Sequence, residues 1–437
     1  MEKQKIIVGL DIGTTKICAI VGQKNAHGKL EVLGMGKAES EGVNKGVVVN
    51  IDRTVLAISK AIKEASDHAN IDIKVVNVGI AGQHIKSYIH HGYIARKSQE
   101  QEISIEDVSR LTEEMHRLML QPGNEIIHVM PQDYTVDFED GIKDPVGMSG
   151  VRLEADFHII TAHTTAINNI NKCVKRAGLE VDELILEPLA SSLSVLSDEE
   201  KEAGVCLIDI GGGTTDIAIF HENIIRHTAV IPFGGNIITT DIQNGLQVMA
   251  VQAEKLKTKY GKAISDQASP NQIVSIPGIK NRPPKEISVR NLASIIQARM
   301  EEIIEMAHNE IISSGYEKKL AGGIVITGGG SQLSGLCQLV EFMTGLDTRL
   351  GFPNEHMGKC KTEEAKSPMY ATTVGLVLAG FKSLDERQDR YQEAIQAKQP
   401  EGKPKQRSTS GLSFTSILDK TKSLLIDDIG GTYDRKD

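Results

Sequence analysis

Cys206-Leu-Ile-Asp-Ile-Gly-Gly-Gly-Thr-Thr-Asp-Ile-Ala-Ile219 is the stretch on which the fold turns. An apolar run reads as a buried strand, three glycines and two threonines follow, and a second β-rich run to Phe220 leads away: a strand, a tight turn and a return strand. Gly211, Gly212 and Gly213 leave no Cβ in the way, so backbone N–H groups at the tip are able to close on an anion such as a phosphate. Asp209 and Asp216 flank the tip. Carboxylates beside a phosphate repel it unless a cation intervenes, which points to Mg²⁺ held largely through water. Taken alone, the same glycine-rich tip is equally explained as plain turn chemistry.

A second copy lifts it. Ile7-Val-Gly-Leu-Asp-Ile-Gly-Thr-Thr-Lys-Ile-Cys-Ala-Ile-Val21 repeats the order of apolar strand, Asp-Ile-Gly, paired threonines and apolar return. By sequence order Asp11 matches Asp209, and Thr14-Thr15 match Thr214-Thr215. Two such hairpins a domain length apart imply duplicated halves facing one another across a cleft, with a phosphate loop from each. A third cluster, Gly322-Gly-Ile-Val-Ile-Thr-Gly-Gly-Gly-Ser331, again follows a buried strand and suits close approach to a flat ligand such as adenosine. Neither G-x-x-x-x-G-K-[ST] nor G-x-G-x-x-G occurs, which disfavours P-loop and Rossmann folds.

These loops resemble those of the actin-like ATPase superfamily, and within it the chain resembles the FtsA family of bacterial division proteins over nearly its whole length. Gly141-Ile-Lys-Asp-Pro-Val-Gly-Met-Ser-Gly-Val-Arg-Leu-Glu154, Glu187-Pro-Leu-Ala-Ser-Ser192 and Tyr370-Ala-Thr-Thr-Val-Gly-Leu376 also read like segments of that family. The resemblance implies an α/β, two-lobed actin-like fold with duplicated ribonuclease-H-like halves, a small α+β insertion and a C-terminal amphipathic helix. It implies ATP and Mg²⁺ as ligands. Asp11 and Asp209 would set Mg²⁺ and water, and Gly13, Thr14, Thr15, Lys16 and Gly211, Gly212, Gly213, Thr214 and Thr215 would hold phosphates. Gly234 and Gly235 would line the nucleotide, and Gly328, Gly329 and Gly330 would bound the base.

Composition agrees with an intracellular globular protein. With 437 residues, 40% hydrophobic content and a formal charge of -9, the chain is long enough for two or three cores, and its acidity argues against nucleic acid as a partner. Five scattered cysteines (18, 173, 206, 337, 360) without C-x-x-C spacing suit a reducing cytosol. No apolar run approaches the roughly 18 residues of a spanning helix, and the first apolar stretch leads into a phosphate hairpin rather than a signal-peptide cleavage site.

In chain order, residues 1–83 and 163–201 form the first lobe and 84–162 the insertion. Residues 202–232 and 320–383 form the second lobe, and 233–319 its helical insertion. The pattern Asp52 to Ala69 predicts a helix with Val55, Ile58 and Ile62 on its core face. Within the first insertion Ser104 and Asp107 suit a capping box ahead of a Val108, Leu111, Met115 stripe. His90-His91 reads as solvated strand polarity rather than a metal site. An insertion at this point, rather than where actin and MreB carry theirs, is what the FtsA resemblance implies. Pro188 ends the strand 183–186 and biases Glu187 to an extended conformation. In MreB-like relatives the matching acid orients the attacking water, so Glu187 is the candidate general base, with a helix cap as the other reading. Glu254 and Lys257 match a family pair that faces ribose and adenine; an i,i+3 surface ion pair explains them as well. The helix from Val289 to Ser313 carries Arg290 and Arg299, which the resemblance assigns to capture of the C-terminal peptide of FtsZ; an ordinary solvated face is the alternative.

Residues 384–411 are a linker, helical at first and then a polar tether, with a reach of about 25–30 Å if all coil. Residues 412–428 place Phe414, Ile417, Leu418, Leu424 and Leu425 on one helical stripe with Lys420 and Lys422 opposite, as in an interfacial membrane anchor; packing onto the body is the alternative. Residues 429–437 form a polar tail. The expected function is an ATP-binding, self-polymerising division protein with slow ATPase activity at most. It would act with FtsZ and other division proteins on the cytoplasmic face of the inner membrane at the septum, and bind no nucleic acid. An actin-like ATPase of pilus assembly and a small-molecule kinase are the rival readings.

Overall fold

The computed structural model describes residues 5–96, 102–278, 283–354, 356–358, 360 and 362–397; the predicted anchor residues Phe414, Ile417, Leu418, Leu424 and Leu425, the tail and the end of the tether lie outside them. The first lobe begins with β1 (Ile6–Ile12), β2 (Lys16–Lys24) and β3 (Leu30–Glu39), then a short ribbon, β4 (Val43–Asn44) and β5 (Val47–Val48). Helix α1 (Ile51–Ala69) follows because Asn50 caps it through Arg53 N–H and Asn70 ends it in the left-handed region at φ 53°. Its buried Ala57, Ile58, Ala61 and Ala65 pack on the sheet, which β6 (Val75–Ile80) extends.

The insertion comprises β7 (Lys86–Ala95), α2 (Ile105–His116), β8 (Asn124–Val136), β9 (Glu139–Ile142) and β10 (Arg152–His163), arranged as a sheet in the order β7-β10-β8-β9. Helix α2 carries the expected Ser104/Asp107 capping box and buries Leu111 and Met115 against that sheet. His91 sits on an exposed face, its two ring nitrogens each 2.9 Å from the carboxylates of Glu154 and Asp156.

The chain returns through α3 (Thr164–Arg176), β11 (Glu180–Leu186), α4 (Glu187–Val195) and α5 (Asp198–Ala203). The second lobe opens with β12 (Val205–Ile210), β13 (Thr215–His221) and β14 (Ile224–Ile231). Its insertion holds α6 (Gly235–Leu246), α7 (Ala250–Tyr260) and the hairpin β15 (Ile273–Ile276) with β16 (Lys285–Ser288), then α8 (Val289–Ser313). Last come β17 (Ile324–Thr327), α9 (Leu336–Thr344), β18 (Thr348–Leu350) and α10 (Ala371–Ala397), so the closing helix runs on into the first part of the linker as expected.

The two lobe sheets have one topology. The first is ordered β11-β6-β1-β2-β3 and the second β18-β17-β12-β13-β14. In each, the opening three strands are antiparallel and the other two join in parallel. The duplication inferred from two hairpins therefore extends to whole lobes.

Two helices cross between them. Helix α4 leaves the first lobe and packs Val195 against Val205, Leu207 and Ala218 of the second. Helix α10 leaves the second lobe and, with Tyr370 just ahead of it, packs Val374, Val377 and Phe381 against Ile7, Cys18 and Ile20 of the first. Where they cross, a Cβ at Gly375 would lie 1.8 Å from the Ala190 carbonyl oxygen, so only glycine lets the two backbones meet. That crossing forms the floor of the cleft.

Candidate functional site

The tips of the two hairpins touch. A Cβ at Gly212 would stand 1.8 Å from Thr15 Oγ1, and one at Gly213 would stand 2.6 Å from Thr14 Oγ1. The ladder register corrects the sequence alignment of the two copies. Ile12 pairs with Ile17 and Ile210 with Thr215, so both loops have the same length. On that register Thr14 and Thr15 correspond to Gly212 and Gly213, Lys16 to Thr214, and Cys18 to Asp216. The threonine pairs are not equivalent. They looked so because the motif was aligned on residue type, whereas hydrogen-bond register fixes position. One tip supplies the hydroxyls and the other the space for them.

Below the tips stand four carboxyl groups. Asp11, the penultimate residue of β1, is buried; Asp209 and Asp216, also buried, face each other directly across the β12–β13 ladder. Glu187 opens α4 as its first residue, with Pro188 next in the first turn. This corrects the expectation of an extended Glu187: the strand ends at Leu186, which takes the capping position, and proline fits the first helical turn because no backbone donor is needed there.

Burial raises the carboxyl pKa of Asp11, Asp209 and Asp216, the last to about 7. Glu187 is pushed well above its ordinary value by burial first, then by the charges of Asp11, Asp216 and Asp209. Lys16 opposes the shift at Asp11, Asp209 and Glu187. Its ammonium donates to the Met369 carbonyl at 2.6 Å and lies 4.8 Å from the Tyr370 ring centre.

Hydroxyls buttress the acids. Ser191 and Thr372 donate to Asp209 Oδ2 at 2.6 and 3.2 Å, Thr373 to Asp11 Oδ2 at 3.4 Å, and Thr214 to Asp216 Oδ2 at 3.0 Å. Asp216 Oδ1 is buried with no protein partner. A buried orphan oxygen beside three other acids is where a hydrated cation or ordered water fits. Among the described residues no three His, Cys, Asp or Glu side chains converge as a direct chelate. The donor set therefore suits a hard ion that keeps most of its water.

The walls carry the remaining predicted residues. Gly234 and Gly235 lie against the second tip, with Gly235 N–H donating to the Gly211 carbonyl at 2.8 Å and Asn236 N–H to that of Gly212 at 2.8 Å. On α7, Lys257 pairs with Glu254 at 2.7 Å and also donates to the Gly235 carbonyl at 2.9 Å, which ties the pair to the tip. Gly328, with φ 86°, and Gly330 fold over the end of β12 at Asp209 and Ile210; a Cβ at Gly329 would meet the Met369 side chain at 3.9 Å. Arg290 and Arg299 lie apart from the cleft acids on α8. Arg290 pairs with Asp266 at 2.7 Å, and Arg299 makes a two-pronged contact with Asp241 at 2.6 and 3.2 Å.

Residues near both ends of the chain thus converge on one cleft between like lobes, and comparison with known proteins gives that arrangement a family. The family described as Cell division protein FtsA matches residues 206–375, and the SHS2 domain inserted in FTSA matches residues 82–161. Cell division protein FtsA of Pseudomonas aeruginosa is 44% identical over 382 residues, covering 87% of this chain and 91% of that protein. The chain belongs to the FtsA family. FtsA of Escherichia coli K12 is 37% identical over 387 residues, covering 87% of this chain and 91% of its own length. The fold is shared with a PilM-PilN type IV pilus biogenesis complex (TM-score 0.60, 16% identity, covering 86% of this chain and 98% of that one). It is shared also with MreB5 of Spiroplasma citri bound to ADP (TM-score 0.50, 14% identity, covering 88% and 98%). The α+β insertion between β6 and α3 is the FtsA-type domain, and the two-lobed actin-like expectation holds. Among the described residues no helix is long and apolar enough to cross a membrane.

Residue patterns assigned neither Asp216 nor the hydroxyls of Ser191, Thr372 and Thr373 to the site. Asp216 carried a signal, its place beside the tip. The hydroxyls lay in the family-like segments 187–192 and 370–376, but nothing local aimed them at the acids, because a serine or threonine in a helix reads equally as an ordinary polar residue.

Proposed function

We propose that this FtsA-family division protein binds Mg·ATP in the cleft, polymerises on the cytoplasmic face of the inner membrane and anchors FtsZ filaments there at the septum. The observation that supports the nucleotide reading is the contact of the Thr14-Thr15 tip with the Gly212-Gly213 tip directly above Asp11, Asp209, Asp216 and Glu187. Mg²⁺ would supply the positive charge that lets phosphates approach this acid cluster. Asp11 and Asp209 would orient its waters. Thr14, Thr15, Lys16 and the backbone from Gly211 to Thr215 would hold phosphate oxygens. Gly328 to Gly330 would bound the base, and Glu254 and Lys257, already joined to Gly235, would face the ribose.

Glu187 would take a proton from the attacking water. Its raised pKa keeps it a poor base until positive charge in the cleft draws the proton off, which accords with slow hydrolysis. Glu187→Gln would lower hydrolysis by about 10²- to 10⁴-fold while leaving Mg·ATP binding in place.

Arg290 is the cation best placed for an acidic FtsZ peptide, since its partner Asp266 is largely exposed and easily exchanged. Residues 412–428 would dock on lipid as an amphipathic helix, and assembly would multiply a weak single attachment into avidity. Sedimentation of the full chain with phospholipid vesicles, FtsZ and Mg·ATP tests the whole reading. Joint pelleting of FtsZ with vesicles, lost in Ile417→Glu with Leu424→Glu, is expected; pelleting indifferent to those changes refutes the anchor.

A further inference from the structure

Thr372 and Thr373 are neighbours on the first turn of α10, yet they serve different lobes. Thr373, fully buried, donates to Asp11 Oδ2 of the first lobe; Thr372 donates to Asp209 Oδ2 of the second. Adjacent helical positions point about 100° apart, so one turn reaches both carboxylates only where it lies between the lobes. Helix α10 lies there because Ala371 packs in the second lobe's core beside Val325, while Tyr370 and Val374 pack in the first.

All the hydroxyls choose the same side of each acid. Ser191 and Thr372 both take Oδ2 of Asp209, and they lie 3.1 Å from one another. The other oxygens turn to the glycine loops. Asp209 Oδ1 lies 2.3 Å from where a Gly328 Cβ would stand, and Asp11 Oδ1 lies 3.5 Å from the equivalent point at Gly13. Each carboxylate is thus held by one oxygen from the floor and offers the other to the loops.

We propose that Thr372 and Thr373 form a two-lobe latch: positioning residues on one helical turn that fix the rotation and spacing of Asp11 and Asp209, so that a hydrated divalent cation meets both acids already aimed. The inference rests on the nucleotide reading above and deepens it. Pre-aimed ligands bind a cation without first losing side-chain freedom, so loosening them weakens binding. The two hydroxyls are unequal. Asp209 keeps Ser191 when Thr372 is lost, whereas the hydroxyl that holds Asp11 comes from Thr373.

The test is the Mg²⁺ concentration for half-maximal binding of a fluorescent ATP analogue to the full chain, with thermal melting as control for folding. Thr373→Val should raise that midpoint about fivefold, the size of a lost ordinary hydrogen bond, and Thr373→Ser should restore it. Thr372→Val should raise it about twofold alone and about tenfold with Ser191→Ala. Midpoints unchanged or lowered in correctly melting Thr373→Val and in the Thr372→Val, Ser191→Ala pair overturn the latch. So does a Thr373→Ser variant no better than Thr373→Val. A wild-type chain that binds no Mg²⁺–nucleotide overturns the nucleotide reading itself, and the latch with it.

Discussion

The two hairpins are the same device with opposite chemistry. In the first, Asp11 faces Cys18 across the ladder and Lys16 stands nearby, so the acid has a compensating cation. In the second, the positions of Cys18 and Lys16 are filled by Asp216 and Thr214, so two carboxylates face each other with a hydroxyl between them and the tip. Like charges directly opposite in a ladder are destabilising. The first hairpin is balanced by the protein itself. Lys16 reaches Asp209 as well, but Asp216 is eased by the Thr214 hydroxyl alone and keeps one oxygen without a protein partner, which leaves that oxygen for something else to balance.

The strongest way to break this comparison is to spoil the fit between the tips. Gly213→Val places branched carbon where Thr14 Oγ1 stands at 2.6 Å and the Lys45 backbone at 3.0 Å. Each lobe keeps its own core, so melting should shift little. Closing the tips should cost about 3 kcal/mol of overpacking, about a hundredfold in nucleotide affinity, and Thr14→Gly in the same chain should recover part of it. Titration with labelled ATP reads this out. Full affinity in Gly213→Val would show that the tips do not close on the ligand.

A smaller effect comes from making the first hairpin resemble the second. Cys18 is wholly buried, and Cys18→Asp puts a second carboxyl opposite Asp11. Stability should fall by about 2–3 kcal/mol at pH 8 and less at pH 4, where the new carboxyl stays protonated. Denaturant midpoints at the two pH values measure it.

The smallest effect, and of opposite sign, comes from making the second resemble the first. Asp216 titrates near 7 when folded and near the ordinary carboxyl range when unfolded. Between those values the native state holds the proton that the unfolded state releases, so stability falls as pH rises through about 4 to 7. Asp216→Asn removes this loss. Of the roughly 4 kcal/mol that a rise from 3.8 to about 7 represents, the buried amide gives back part for its own unmet hydrogen bonds, so the nucleotide-free protein should gain about 1–2 kcal/mol at pH 8 and nothing at pH 4, while Mg²⁺-dependent nucleotide binding weakens. A loss of stability at pH 8 would sink the electrostatic account of the second hairpin.

Much of the fold was legible because its signals are local. The capping box at Ser104 and Asp107 and the apolar stripe of α1 each act within a few residues of chain. Glu187 was misjudged in conformation because proline after an acid suits both a strand end and a first helical turn. The packing of α4 on the second lobe selects the helix. For Lys257 the ion pair with Glu254 was legible from the i,i+3 spacing, whereas its tie from α7 to the Gly235 carbonyl was not.

By itself the sequence determined that two Asp-Ile-Gly turns exist, that each ends a buried strand, and that a domain's length separates them, because strand and turn chemistry is written in adjacent residues. Tertiary structure alone decided which loop residues correspond, that threonines of one tip fill the space left by glycines of the other, and that one turn of α10 reaches both aspartates. The hydroxyl of Thr373 and the carboxylate of Asp11 are 362 residues apart. No local preference reports such a contact; it exists only once two crossing helices have brought both lobes onto one floor.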